Sequence, residues 1–227
     1  MQSPDFPEDA LSRDAFLCGR LHLWQPKKGY RAATDPVLLA AACPARPGER
    51  VLDLGCGDGT LLHWLAAHQS CETLGVEITD ENVLACVKRG VNVIQADIDQ
   101  GLAMFAQDRF DAVVLSQALQ ATRETERVLR EIGEIGRECL VSIPNFGHWS
   151  HITSLLSGHM PVNKRLPYAW YDTPNFHFAT ARDFEELLIR LGFEILDRAF
   201  LDDDKAIQWL PNLRSTLAVY RFRKKLF

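Results

Sequence analysis

Two acidic residues at the ends of strand-like segments carry the clearest chemical signal in this sequence. Asp53 lies in the stretch VLDLGCGDGT, two residues before Gly55, the first of three closely spaced glycines. Glu77 ends the second strand-like segment, 22 residues beyond Gly55. A carboxylate at the first position suits an ammonium group, and an acid about 20 residues past a glycine turn is placed to accept hydrogen bonds from ribose hydroxyls. Together they predict a ligand that carries both an amino acid and a nucleoside.

The residues around Asp53 have the pattern of a buried strand, a glycine turn and the start of a helix. Glycines such as Gly55 and Gly57 let a ligand lie against the backbone, and the first amides of the helix favour a negative group. The stretch resembles motif I of class I S-adenosylmethionine-dependent methyltransferases. Two alternatives are an NAD(P)-binding turn, whose third glycine comes one residue later, and a glycine turn that holds no ligand.

Residues that follow the later strands extend the predicted cofactor site. Asp97 is placed to accept from the adenine amino group, with Asp99 as a nearby alternative, and Ile98 is placed to pack on the ring. Glu77 has the alternative of an ordinary charge at a strand end. Ligands of open α/β sheets lie at the carboxyl ends of the strands. We therefore expect the cofactor S-adenosyl-L-methionine, with S-adenosyl-L-homocysteine as its product, to contact Asp53, Gly55, Gly57, Glu77, Ile78, Asp97, Ile98 and Ser116.

The residues after the fourth strand should face the reacting centre, because they follow Ser116 at the same edge of the sheet. The sequence there is SQALQ, residues 116–120. Adenine-N6 methyltransferases carry Asn or Asp, then Pro-Pro and Tyr or Phe, at this place. The departure argues against methylation of adenine.

A long segment of mixed composition, residues 144–178, is predicted to form a lid or binding surface, since long loops in compact domains are usually functional. His148, Tyr171 and His177 are the candidates for contact with a methyl acceptor, and a histidine would serve as a general base where the acceptor must lose a proton. For each histidine the alternative is a structural or surface role. No cluster with metal-ligand spacing stands out, so no metal is expected.

The N-terminal residues resemble a different group of proteins. The stretch FLCGRLHLWQP, residues 16–26, alternates enough to predict a short hairpin, and a helix is predicted to open near Asp35. The run GYRAATDPVLLAA is similar to the leader of bacterial tRNA adenine-N6 methyltransferases. That resemblance implies that Tyr30 and Asp35 contact the methionine end of the cofactor. Alternatively, the helix only covers one edge of the sheet.

The composition is that of an ordinary globular enzyme-sized domain. The chain has 227 residues, 47% of them hydrophobic, and a net charge of −5, which argues against a strongly basic nucleic-acid face. No apolar run approaches the roughly 18 residues of a membrane span, and the N-terminus does not resemble a signal peptide. The six cysteines form no Cys-x-x-Cys pair, which predicts neither zinc nor disulfides. We expect a cytoplasmic protein.

Five further stretches of sequence point to one family. They are GVEITDENV, GVNVIQADID, FDAVVLSQALQA, SIPNFGHW and, above all, MPVNKRLPYAWYDTPNFHF. With these stretches, the chain from about residue 50 to its C-terminus closely resembles the MetW family of methionine biosynthesis proteins. The resemblance implies a class I methyltransferase (Rossmann-like) α/β fold and a role together with homoserine O-acyltransferase.

The expected fold is a mostly parallel seven-stranded sheet with an antiparallel pair at one edge and helices on both faces. Residues 1–48 form a leader with a covering helix, and residues 49–227 form the cofactor-binding domain with the lid inserted at about 144–178. Three functions remain open: a cofactor-binding protein that acts with the acyltransferase, a methyltransferase on a small-molecule acceptor, and a tRNA adenine methyltransferase.

Overall fold

The computed structural model describes residues 11–16, 21–26, 39–163, 166, 168–203 and 205–225. The first two ranges form an antiparallel hairpin of strands β1 (Leu11–Phe16) and β2 (Leu21–Pro26). A hairpin was expected over residues 16–26, so its first strand lies earlier in the chain than predicted. Tyr30 and Asp35 lie outside the described residues.

The main sheet has eight strands. They are β3 (Arg50–Leu54), β4 (Glu72–Glu77), β5 (Val93–Gln95), β6 (Phe110–Ser116), β7 (Gly136–Pro144), β8 (Phe193–Asp202), β9 (Lys205–Ala206) and β10 (Leu217–Lys224). Their spatial order is β5-β4-β3-β6-β7-β10-β8-β9. The first five strands in that order are parallel, and β10 is antiparallel to both of its neighbours.

The expected antiparallel pair is present, with one difference in placement. Strand β10 lies between β7 and β8 and not at the edge, and the two-residue strand β9 pairs with β8 to make the eighth strand. A strand of two residues leaves no alternating pattern in a sequence. The sheet is therefore the predicted one with a short addition at its far edge.

Helices cover both faces of the sheet. Their bounds are α1 (Thr60–Gln69), α2 (Asp80–Arg89), α3 (Thr125–Ile135), α4 (Trp149–Leu156), α5 (Ala181–Arg190) and α6 (Pro211–Arg214). Helices α3 and α5 pack in one buried cluster, while α1, α2 and helical residues 39–42 contribute to the other. None of the helices in the described part of the chain is long and apolar enough to cross a membrane.

Strand β3 shows why the sequence before the glycine turn is apolar on both faces. Val51 packs into one cluster, and Leu52 and Leu54 pack into the other. A parallel strand with helices on both faces is buried on both faces. Asp53 is therefore the one polar side chain in a run that is otherwise hydrophobic from Val51 to Leu54.

Two helix ends follow patterns that are visible in the local sequence. Thr180 Oγ1 accepts from the Asp183 N–H at 3.2 Å, and Asp183 Oδ2 accepts from the Thr180 N–H at 3.1 Å, which is a capping box at the start of α5. Gly90 ends α2 with a φ of 75°, and its N–H donates to the carbonyls of Cys86 and Val87.

Candidate functional site

The turn between β3 and α1 depends on glycine. Gly55, Gly57 and Gly59 have φ values of 73°, 55° and 75°, which non-glycine residues rarely adopt. The Gly55 N–H donates to the Val76 carbonyl at 2.8 Å, which ties the turn to strand β4. A Cβ at Gly55 would lie 2.9 Å from Ala118 Cβ. The turn and the segment after β6 are thus packed as closely as a backbone allows.

Asp53 is a buried carboxylate that the described residues satisfy only in part. Its side chain is 2% exposed, and Oδ1 is buried without a hydrogen-bond partner among the residues described. Burial, and then the nearby negative charge of Glu77, raise the pKa of Asp53 to about 7. A buried polar atom without a partner is costly. The position is therefore suited to a cationic group that would pair with it.

Glu77 is turned toward the glycine turn. Its Oε2 accepts from the Gly57 N–H at 2.8 Å, and its Oε1 accepts from the backbone N–H groups of Ile78 and Thr79 at 3.0 and 2.9 Å. A carboxylate offers about four lone pairs, so these three bonds leave Oε2 able to accept one more. Ile78, directly after it, is 59% exposed. The pair thus combines a rigid acceptor with an exposed apolar side chain.

The structure distinguishes Asp97 from its alternative, Asp99. Asp97 Oδ1 accepts from the Asp99 N–H at 2.9 Å, which begins a single turn of 3-10 helix. Both carboxylate oxygens of Asp99 accept from the Arg123 N–H, at 3.0 and 2.9 Å. Asp99 therefore fixes the segment before α3, whereas Asp97 bonds only within its own turn. Ile98 lies beside the turn, with Cδ1 3.9 Å from the position of a Cβ at Gly55.

The segment after β6 bends sharply at a residue that the sequence did not mark. Ser116 ends the strand opposite Ser142, and Gln117 follows with a φ of 49°. The Gln117 N–H donates to the Ser142 carbonyl and hydroxyl at 3.2 and 3.1 Å. Non-glycine residues held at positive φ are concentrated at functional sites. No motif predicts such a conformation for glutamine.

The three acceptor candidates have three different environments. His148 is 7% exposed and caps α4, with Nδ1 2.8 Å from Ser150 Oγ. Tyr171 is 75% exposed and makes an edge contact with Trp170. The backbone N–H of His177 donates to the Gln120 carbonyl at 3.1 Å. Of the three, His177 belongs to the predicted lid and contacts the segment after β6. His148 has a structural role in starting a helix that the sequence did not predict.

A cavity of about 540 Å³ lies between α3, α5 and the predicted lid. We call it the Gln120 cavity. His177 lines it, as do Leu119 and Gln120 from the segment after β6 and His151 from α4. None of the predicted cofactor residues lines it. The cavity is therefore lined by residues other than those predicted to bind the cofactor.

Metal and disulfide chemistry find no support in the described residues. No three His, Cys, Asp or Glu side chains among them are grouped so as to hold a metal ion. Cys43, Cys56, Cys71, Cys86 and Cys139 are buried thiols. The Sγ atoms of Cys56 and Cys86 are 3.8 Å apart, and burial raises the pKa of both. These thiols behave as packing groups.

Comparison with known sequences identifies a family. The chain matches the family described as methionine biosynthesis protein MetW over residues 38–222. It is 35% identical over 197 residues to the bifunctional methionine biosynthesis protein MetXA/MetW of Rhodopirellula baltica. The aligned region covers 78% of this chain and 31% of that protein. It is also 32% identical over 84 residues to the tRNA1(Val) (adenine(37)-N6)-methyltransferase of Musicola paradisiaca, 37% of this chain and 33% of that enzyme. The chain thus matches only about a third of the length of each relative.

Comparison with solved structures confirms the fold. An S-adenosylmethionine-dependent methyltransferase from Mesorhizobium loti superposes with a TM-score of 0.63, covering 83% of this chain and 96% of that chain at 20% identity. Identity at this level shows the fold alone. The fold is the expected class I methyltransferase fold.

Proposed function

The chain belongs to the MetW family of methionine biosynthesis proteins, and from that premise we propose that it binds S-adenosyl-L-methionine in a crevice beside the glycine turn. The observation that carries this proposal is Asp53, a buried carboxylate with an oxygen that no described residue satisfies. The ammonium group of the methionine moiety would supply the missing partner. The turn has glycines at three positions of positive φ, so its backbone would let the ligand approach closely.

Four further residues fit the nucleoside. Glu77 keeps one lone pair on Oε2 for a ribose hydroxyl, and its other bonds hold it in place. Asp97 keeps an acceptor for the adenine amino group, and Ile78 and Ile98 offer apolar surface to the ring. When bound, the cofactor supplies an activated methyl group. The chain's own residues bind and orient it, which is the main contribution of a protein to an in-line transfer.

Calorimetric titration with S-adenosyl-L-homocysteine tests the crevice. We expect Glu77→Gln to weaken binding by about tenfold or more, because a charge-assisted hydrogen bond contributes about 1.5–3 kcal/mol. The matched control is Glu72→Gln, at the other end of the same strand and exposed, which should bind as the wild type does. Equal affinity of all three proteins, or no binding by the wild type, would remove the assignment.

The family also points to a partner. We propose that the protein acts with homoserine O-acyltransferase, as the MetW resemblance implies. In support, a relative's name joins MetXA and MetW in one bifunctional protein.

The predicted lid offers a surface, because 11 large hydrophobic residues between positions 149 and 178 are exposed. Large exposed apolar patches mark interaction sites. The test is to mix the purified protein with the acyltransferase and to measure both complex formation and the rate of acyl transfer. No complex and an unchanged rate would refute the proposal.

Methyl transfer to a small molecule is the second candidate function. The Gln120 cavity favours it, since this cavity adjoins the segment that follows β6. Release of S-adenosyl-L-homocysteine on incubation with a metabolite extract, but not with bulk tRNA, would support this function over the tRNA alternative. The sequence SQAL and the net charge of −5 weigh against tRNA. A cytoplasmic location stays a prediction.

A further inference from the structure

The Gln120 cavity has the dimensions of a small-molecule site. Its volume of about 540 Å³ lies within the usual range of roughly 300–1,000 Å³ for ligand pockets. Apolar side chains make up much of its wall, among them Leu119, Phe146 and Leu187. Such a wall favours an apolar ligand.

Two polar atoms in this wall are buried without partners. Gln120 Oε1 and Thr125 Oγ1 form no hydrogen bond with any of the described residues. The Gln120 amide nitrogen is already used, because it donates to the Gln117 carbonyl at 2.6 Å. That bond fixes the side chain and leaves Oε1 as an acceptor. A buried acceptor without a donor costs free energy that a ligand with an N–H or O–H group would recover.

His151 adds a third acceptor to the same wall. It is 3% exposed, and its Nδ1 lies 3.2 Å from the Phe146 carbonyl. Burial, opposed in part by that carbonyl, lowers the pKa of His151, so the ring is neutral at pH 7. With Nδ1–H donating to Phe146, Nε2 is the acceptor nitrogen.

Four of the five charged residues of the wall are committed elsewhere, and the fifth, Glu124, is exposed. Arg190 pairs with Glu126 at 2.6 Å, and both are exposed. The Arg123 guanidinium lies over the Phe176 ring, 5.1 Å from its centroid. Asp183 belongs to the capping box of α5. The interior of the cavity therefore selects for a ligand without charge.

We infer that the Gln120 cavity binds an uncharged, largely apolar small molecule whose hydroxyl or N–H group donates to Gln120 Oε1, with Thr125 and His151 as further polar contacts. None of the residues predicted to bind the cofactor lines this site, so the inference does not rest on the proposed binding of S-adenosyl-L-methionine. The volume of the cavity and the three acceptors favour a small molecule over a protein segment.

Indole and benzofuran make a matched pair of probes, because they share a shape and only indole has an N–H donor. We expect saturation-transfer NMR and calorimetry to show that indole binds the wild type more tightly than benzofuran, roughly two- to tenfold for one neutral hydrogen bond. In Gln120→Leu, which removes the acceptor, the two probes should bind alike. Equal binding of the probes by the wild type would overturn the inference.

Two tryptophan substitutions on α5 test the location. Leu187→Trp places a large ring in the cavity, while Ile189→Trp places the same ring on the exposed face of the helix. We expect indole binding to be lost in Leu187→Trp and retained in Ile189→Trp, with thermal unfolding showing that both proteins fold. Retention of indole binding in a folded Leu187→Trp, or no binding of indole by the wild type, would refute the site.

Discussion

Glu77 Oε2 accepts a hydrogen bond from the Gly57 N–H at 2.8 Å, so the acid that ends β4 holds the glycine turn that follows β3. The two residues are 20 positions apart. Because Oε1 accepts two more amides, the carboxylate is fixed from both sides. The turn and the acid thus form one preorganised unit, and a ligand that uses both meets groups that are already in place.

The first prediction concerns the close packing of that turn. Gly55→Ala should destabilise the protein by about 2–4 kcal/mol and abolish binding of S-adenosyl-L-homocysteine, because it combines a φ of 73° with a Cβ 2.9 Å from Ala118 Cβ. Gly90→Ala is the matched control, since its φ is 75° and nothing lies within 4 Å of its Cβ. Gly90→Ala should lose only about 1 kcal/mol and keep full affinity. Urea denaturation and calorimetry measure both effects; a loss of affinity in Gly90→Ala would contradict the explanation.

The second prediction concerns the pH dependence of stability. The pKa of Asp53 is raised in the folded protein to about 7, from 3.8, so the folded state binds more protons than the unfolded state between these values. Ionised Asp53 therefore destabilises the ligand-free fold, and this cost in free energy of unfolding is greatest above about pH 7. The cost decreases as the pH falls. Asp53→Asn removes the charge and should stabilise the ligand-free protein by about 1–3 kcal/mol at pH 8.

At pH 5 the same substitution should stabilise the protein less, because Asp53 is then protonated in the fold and ionised only in the unfolded state. Urea denaturation of both proteins at the two pH values gives the comparison. An equal change in the free energy of unfolding at pH 5 and pH 8 would show that the charge of Asp53 is not responsible.

The third prediction concerns the exposed aromatic residues of the lid. Trp170 is 72% exposed there, and Trp209, outside the lid, is 69% exposed. If the lid contacts the acyltransferase, Trp170→Ser should weaken the complex by about tenfold or more, because buried tryptophans dominate interface energies. Trp209→Ser should leave it unchanged. Affinity measured by biolayer interferometry decides the matter, and an equal loss in both variants would exclude a specific role for the lid.

Much of the fold was predictable because its signals are local. The glycine turn at Gly55, the acid Glu77 at the end of its strand and the capping box of Thr180 with Asp183 each depend on residues close in sequence or at a fixed spacing. These features follow from backbone conformation and hydrogen bonding. The sequence therefore located the glycine turn and the strands and helices around it.

The features that were missed depend on contacts between distant parts of the chain. Helix α4 has eight residues and a histidine cap, too short for a clear period. The positive φ of Gln117 is imposed by bonds to Ser142 on the next strand. The Gln120 cavity joins residues from four separate segments. None of these can be deduced from the order of residues alone.

Titration of two ligands into two proteins tests the central assignment most directly. S-adenosyl-L-homocysteine carries an amino acid, and 5′-methylthioadenosine is a related nucleoside without one. If Asp53 pairs with the ammonium group, Asp53→Asn at pH 8 should weaken binding of S-adenosyl-L-homocysteine by about tenfold or more and leave the affinity for 5′-methylthioadenosine unchanged. An equal loss for both ligands, or no loss for either, would contradict the proposed pairing of Asp53 with the amino acid.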